Sequence, residues 1–352
     1  MLVDELDTPI VTIDLDRVER NLGRWQRYCD EHGLRNRPHM KTHKVVELAK
    51  LQLAKGAKGI CCQKLGEAEV MAAGGIDDIL VPFNLLGSAK LARARDLADR
   101  ITLEVACDSL EVARGLSEAF AGSSRPLAVL IECDTGAKRC GVQTPEAATD
   151  LALAVDRLPG LRFSGLMSYP PKGEPSAAAA FFGPAKAMIE RHGLAVEKLS
   201  SAGSPDMWKA HESGIFTEYR VGTYIYYDRM QVAAGAATLD DCALHVQATV
   251  VSRPHPDRAI LDAGSKALTS DIGGQDGHGL IVQYPEARIF ALSEEHAHVD
   301  ISRCAMRPKV GEKVAVVPNH ACPVSNLFDT VVGVRDGRVV ETFQVAARGR
   351  VR

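Results

Sequence analysis

A (β/α)8 barrel fused to an all-β domain is the fold class this sequence predicts, and three observations predict it. From residue 34 to residue 225, eight short β-rich runs alternate with amphipathic helical stretches. From residue 243 onward the helical periodicity fades, and strand-like runs are parted by turn residues. The 352 residues suffice for one large domain or two ordinary ones with a packed core. A doubly wound open sheet is the competing arrangement for the first part.

The eight runs are LRNRPHMK (34–41), GICCQ (59–63), DILVPF (78–83), ITLEVAC (101–107), PLAVLIEC (126–133), FSGLMSY (163–169), KLSSAG (198–203) and EYRVGTYI (218–225). Between them, VVELAKLQLAKG, LGEAEVMAAGG and SLEVARGLSEAFAGS repeat apolar residues at three- and four-residue spacing and close on glycine or serine. TPEAATDLALAVDRL opens as a capped helix does, with proline at the first helical position. Later runs such as LHVQATVVSRP, RAILDAG and KVAVVPN read as strands, and the opening VTIDLD (11–16) can join them. The expected division is therefore a barrel over 17–240 and a β-domain built from 1–16 and 241–352.

Composition narrows the function. Hydrophobic residues make up 46% and charged residues 25%, values of an ordinary globular protein. A formal charge of −3 lacks the basic excess that nucleic acid or a membrane surface demands. No apolar run reaches the roughly 18 residues of a membrane span. MLVDELDTP has neither the cationic start nor the apolar stretch of a signal peptide, so a cytoplasmic location is expected. Nine scattered cysteines without a CxxC pair suit buried thiols better than a disulfide framework.

RPHMKTHK, residues 37–44, puts Arg37, His39, Lys41 and His43 in alternation, as neighbours on one strand face would be. Such a cluster on a surface strand is a solvated edge. At the C-terminal end of the first barrel strand it is a site, because barrel active sites lie there. The other strand ends carry Gln63; Asp134, Thr135 and Arg139; Tyr169; Gly203-Ser204; and Gly222-Thr223-Tyr224, read as lying in the eighth strand. Gly-Ser and Gly-Thr pairs offer backbone N–H groups and hydroxyls, a combination suited to phosphate. A lysine desolvated across a barrel from such groups suits a Schiff base with pyridoxal phosphate. Arg37, deeper in the barrel, is expected to meet Asp134 or Glu132.

DTPIVTIDLDRVERN, RPHMKTHK, GICCQKLGEAEVMAAGGIDDIL, DTGAKRCGV, GTYIYYDRMQ, AILDAGSKALTSD, LSEEHAHVD and VPNHACPVSNLFD span nearly the whole chain. Together they resemble the D-threonine aldolase and eukaryotic-type D-serine dehydratase family, within the alanine-racemase-like (fold type III) pyridoxal phosphate enzymes, whose barrel is of the TIM type. The resemblance implies Lys41 as the Schiff-base lysine. It implies Arg139 near the cofactor's phenolic oxygen or ring, and Gln63 and Tyr169 in its pocket. His39 would pack beside the lysine. Gly203, Ser204, Gly222, Thr223 and Tyr224 match phosphate-proximal positions. Lys44 would point to the other face or start a helix.

PNHACP (318–323) places His320 and Cys322 two apart, on one face if the segment is a strand. The resemblance makes them ligands of a divalent metal; the cysteine favours zinc, and manganese or magnesium would suit an aspartate variant better. Glu294, His296 and His298 in SEEHAHVD are read as sharing one strand face, as supports of the site or as a solvated edge, and the alternating Asp262, Gly264 and Lys266 in LDAGSK as interface packing or chemistry. The implied substrate is a D-β-hydroxy-α-amino acid. Retro-aldol cleavage to glycine and an aldehyde is preferred over loss of water and ammonia from D-serine or 3-hydroxy-D-aspartate. An alanine-racemase-like isomerase would have no use for the His-x-Cys pair. Family members commonly carry histidine after the tyrosine of the sixth strand, whereas SYPPKGEPS has none. The family also implies a homodimer with the active site at its interface.

Overall fold

The computed structural model describes residues 1–352. The chain divides into two compact units. One comprises Met1–Arg24, Thr42–Glu47 and Thr223–Gly349; the other comprises Trp25–Lys41, Leu48–Gly222 and Arg350–Arg352.

Strand β1 (Ile10–Asp14) belongs to the first of these. The other unit holds β2 (Arg35–Asn36), β3 (Ile60–Cys61), β4 (Asp78–Val81), β5 (Thr102–Cys107), β6 (Leu127–Cys133), β7 (Leu161–Ser168), β8 (Lys198–Ala202) and β9 (Glu218–Arg220). They pair in parallel in the order β2-β9-β8-β7-β6-β5-β4-β3. A parallel bridge between His39 and Cys61 closes the ring. All eight expected strands are present, so the barrel replaces the doubly wound alternative. Helices alternate with the strands, and Pro145 opens one of them after the Thr144 side chain, which accepts from Ala147 N–H.

The first strand is shorter than the alternation in RPHMKTHK suggested. Arg37 and His39 N–H groups still donate to Tyr219 and Val221 carbonyls on the β9 side. Pro38 contributes only its carbonyl, accepting from Cys61 N–H at 2.8 Å, so its missing donor costs the ladder one bond there. Met40–Thr42 then curls into a 3-10 turn, which takes Lys41 out of strand geometry. Residues 223–225 likewise form a 3-10 turn instead of extending the eighth strand.

Side chains along the barrel strands fall into layers two residues apart. The middle layer is apolar: Cys61, Leu80, Ala106, Leu130 and Met167, all fully buried. One step toward the N-terminal ends lies an ionic floor. Glu104 accepts from Ser164 Oγ and Lys198 Nζ, each at 2.6 Å. Arg37 donates to Glu218 and Asp78, each at 2.7 Å. These are its carboxylates; the expected Glu132 lies near the C-terminal end of β6, and Asp134 follows that strand. Gly59 (φ +74) makes room for the pair, since a Cβ there would fall 2.5 Å from Arg37 and 2.6 Å from Asp78. One step toward the C-terminal ends come Gln63, Glu132 and Tyr169.

The first-named unit centres on β10 (Leu244–His255). β11 (Arg258–Leu261), β12 (Leu280–Ile281), β13 (Arg288–Leu292), β14 (Ala297–Asp300), β15 (Lys313–Val317), β16 (Thr330–Arg335) and β17 (Arg338–Gln344) follow. β1 lies between β10, antiparallel, and β16, parallel. Short helices at Arg229–Ala233, Ser265–Leu268 and Ala321–Leu327 interrupt the strands, where sequence periodicity showed almost none. Glu294 does not share a strand face with His298: it lies in a turn before β14, exposed and paired with Lys266 at 2.7 Å. Asp262 accepts from Thr8 Oγ1 and Thr249 N–H, a packing role.

Candidate active site

The barrel unit gathers its candidates where the strands end. His39 is buried; its Nε2 meets Gln63 Oε1 at 3.1 Å, and its Nδ1 accepts the Lys41 backbone N–H at 3.3 Å. The two bonds define a neutral imidazole with the proton on Nε2. Burial, then the charges of Lys41 and Arg220, hold its pKa well below that of an ordinary histidine. Gln63 is anchored by its backbone N–H donating to Glu67 at 2.7 Å.

Arg139 and Tyr169 form a second group. The guanidinium lies 5.0 Å from the Tyr169 ring centroid and 3.4 Å from Glu132. Burial raises the Glu132 pKa against the pull of Arg139. Asp134 instead staples its own loop, accepting from Gly136 and Lys138 N–H groups. Thr135 bonds Ser168 Oγ at 2.6 Å. Gly203 follows β8 with φ +120 in open space: a Cβ there would meet nothing nearer than Tyr219 Oη at 3.8 Å. Ser204 beside it is buried.

Arg220 went unnoticed in the sequence. It is buried, donates to Ser200 Oγ and to the Ser168 carbonyl, and has no carboxylate partner of its own. Ser200 links it to Glu218, whose Oε1 accepts at 2.7 Å. The signal was legible: Glu218, Arg220 and Gly222 alternate, so Arg220 shares the inward face.

The other unit holds the His-x-Cys pair, and not on a strand. His320 is the residue before the Ala321–Leu327 helix, and Cys322 lies in its first turn. Pro323, well suited to a first helical turn, is the local signal for it. Burial opposes the charge on His320, but Cys322 and Asp271 outweigh it and raise its pKa to about 9. Asp228 is buried, accepts from Ala321 N–H at 2.9 Å, and is pushed up to about 6 by desolvation. Around the thiol, Thr42 Oγ1 stands 3.2 Å and Thr223 Oγ1 3.8 Å from Cys322 Sγ. Thr42 follows Lys41 in the chain, and Thr223 follows Gly222. Tyr224 and Tyr226 are buried. Lys44 has φ +56 and its Nζ reaches Asn326 Oδ1 at 2.7 Å, which gives it a structural role.

The groups present fit the two implied ligands. An amine at Lys41, buried Arg220, exposed Arg139, and the Gly203 backbone beside a buried hydroxyl suit an anionic aldehyde. Imidazole and thiol suit a borderline-soft divalent ion, with only two protein donors; no group of three or more ligating side chains occurs. All nine cysteines are free, and seven are buried, as small core hydrophobes should be. No helix is long and apolar enough to cross a membrane.

Comparison with known proteins agrees with this geometry. Residues 13–230 match the family model "Alanine racemase, N-terminal domain", and residues 243–334 match "Putative serine dehydratase domain". A D-threonine aldolase of Arthrobacter sp is 35% identical over 98% of this chain and 93% of its own length. A 3-hydroxy-D-aspartate aldolase of Paracoccus denitrificans (strain Pd 1222) is 35% identical over the same shares. The crystal structure of D-threonine aldolase from Filomicrobium marinum superposes with TM-score 0.92, at 34% identity, over 99% of this chain and 98% of that one. A cysteine-to-alanine mutant of D-threo-3-hydroxyaspartate dehydratase, solved in the metal-free form, gives TM-score 0.88 at 29% identity over 98% of both chains. On matched domains, near-full-length identity and shared barrel architecture, the chain belongs to the D-threonine aldolase and D-serine dehydratase family of lyases.

Proposed function

We propose that the chain is a pyridoxal phosphate- and zinc-dependent lyase that cleaves D-β-hydroxy-α-amino acids to glycine and an aldehyde. One observation carries the reading: the segment that follows Lys41 touches Cys322 through Thr42, 3.2 Å away. Thr42, the next residue in the chain after Lys41, thus stands beside the thiol of the His-x-Cys pair. The near-full-length identity to two aldolases supports the retro-aldol outcome.

When bound, the cofactor supplies an electron sink and the ion a Lewis acid for the β-hydroxyl. Everything else falls to the chain. Lys41 Nζ would hold the cofactor's aldehyde, and as a free amine it could deliver a proton to the substrate Cα. His39 stays neutral and fixes the turn that carries Lys41, while Gln63 fixes His39. Arg139 and Tyr169 flank the ring, and Gly203, Ser204, Gly222, Thr223 and Tyr224 hold the phosphate. His320 and Cys322 hold the ion. Pro170 and Pro171 follow Tyr169, so no histidine there takes the hydroxyl proton. The same reading assigns cofactor binding to 17–240 and the ion to the β-domain, and includes a cytoplasmic homodimer with the active site at the subunit interface.

A dehydratase outcome is the second reading, supported by the likeness to D-threo-3-hydroxyaspartate dehydratase, whose cysteine-to-alanine mutant was solved in the metal-free form. There Lys41 would remove the α-proton, and ammonia with a 2-oxo acid would result. Zinc-loaded enzyme given D-threonine, D-serine and 3-hydroxy-D-aspartate separates the two. Glycine with an aldehyde is expected; ammonia without glycine would overturn the aldolase assignment.

A further inference from the structure

Resting on the reading that His320 and Cys322 hold an ion, we infer that Asp271 is the positioning residue of His320 and sets the affinity of that ion. Asp271 Oδ2 lies 2.8 Å from His320 Nδ1. An imidazole that donates Nδ1–H to a carboxylate keeps its Nε2 lone pair for a cation, and the adjacent negative charge makes that nitrogen a stronger donor. Nothing in the local sequence LTSDIGG announces this role, because the partner is 49 positions away.

The surroundings of Asp271 show a built support, more than a chance surface pair. Asn319, buried and next in sequence to His320, turns its amide toward the Asp271 loop: Nδ2 reaches the carbonyls of Asp271 (3.1 Å), Ile272 (3.4 Å) and Gly277 (2.8 Å). Its Oδ1 accepts from Arg229 at 2.7 Å, so the amide itself cannot turn over. The Asp271 backbone N–H donates to Thr269 Oγ1, and Thr269 sits at φ +65, a costly conformation for a β-branched residue. A loop held in that conformation by the residue preceding the metal-binding histidine delivers one carboxylate to one imidazole nitrogen. The thiol partner needs no such help, since it lies in a helix whose first N–H is fixed by Asp228.

The test is zinc affinity of the cofactor-loaded full chain, measured by competition with a chromophoric chelator. Asp271→Asn keeps an acceptor but loses the charge, and is expected to weaken binding about 10- to 100-fold. Asp271→Ala, losing both, should weaken it further, and Asp271→Glu should recover most of the loss. Cobalt-substituted Asp271→Asn should keep the ligand-field bands of the parent protein, because the ligand set is unchanged. Equal zinc affinity in all variants would overturn the inference. So would altered cobalt bands, which would make Asp271 a ligand itself. Undiminished affinity in His320→Ala would instead remove the metal reading beneath it. Circular dichroism of each variant identifies any affinity loss that comes from misfolding, and the Asp271→Glu recovery stands apart from that loss.

Discussion

His39 accepts the backbone N–H of Lys41 at Nδ1, 3.3 Å away, and so a buried neutral imidazole braces the turn that presents the lysine. Protonating it would break this brace and place a cation beside Lys41 and Arg220.

The pH dependence follows. The folded pKa of His39 is depressed below the ordinary value near 6.5. In the window between the two values the unfolded chain binds the extra proton, so stability is full above about pH 6.5 and falls as acid is added. His245, held at about 4 by burial and by Arg17, contributes in the same direction between about 6.5 and 4. Melting temperature scanned against pH should drop on the acid side, and His39→Gln should flatten that drop. An unchanged acid limb in the variant would deny His39 this role.

The two lysines of KTHK should separate cleanly. Lys41→Ala is expected to abolish the visible absorbance of the bound cofactor and to lower activity at least about 10²- to 10⁴-fold, the range of a lost acid–base group. Lys44→Ala should keep the absorbance, since Lys44 is engaged by Asn326. Spectra of both purified proteins decide it.

At the barrel floor, Glu218→Gln leaves Arg37 buried without its fully buried partner. Breaking one side of such a pair costs about 3–5 kcal/mol. Gly59→Ala should destabilise too, by driving Arg37 and Asp78 apart and by forcing a positive φ on alanine. Urea unfolding measures both; a midpoint unchanged in Glu218→Gln would show that the floor is dispensable.

Chelation is expected to stop turnover, and zinc to restore it. Replacing the soft ligand by a hard one, Cys322→Asp, should shift the best reconstituting metal from zinc toward manganese. Reconstitution with each metal, followed by product assay, checks the shift.

The barrel was legible in the sequence because eight strands with amphipathic connections leave a strong periodic trace; the strand-end rule points to Lys41, His39 and Gln63, which hydrogen bonds join. Sequence patterns fail where two geometries share one spacing. A separation of two suits a strand face, yet His320 and Cys322 straddle a helix start. Alternation from Arg37 to His43 likewise suggested a strand, yet after His39 the chain turns. Arg37 found Glu218 on the adjacent β9 and Asp78 on β4, across β3 from its own strand, and no local pattern encodes such long-range neighbours. Asp271 was hidden for the same reason.

The apolar disc of Cys61, Leu80, Ala106, Leu130 and Met167 has an evolutionary consequence. It separates the charged floor from the layer that carries Gln63, Glu132 and Tyr169, the rim to which the chemistry is assigned. Substitutions among rim positions such as Gln63 and Tyr169 can therefore be sampled without weakening the floor. A barrel stratified in this way can exchange one lyase outcome for another by editing a single tier, and mutant libraries aimed at substrate scope belong there.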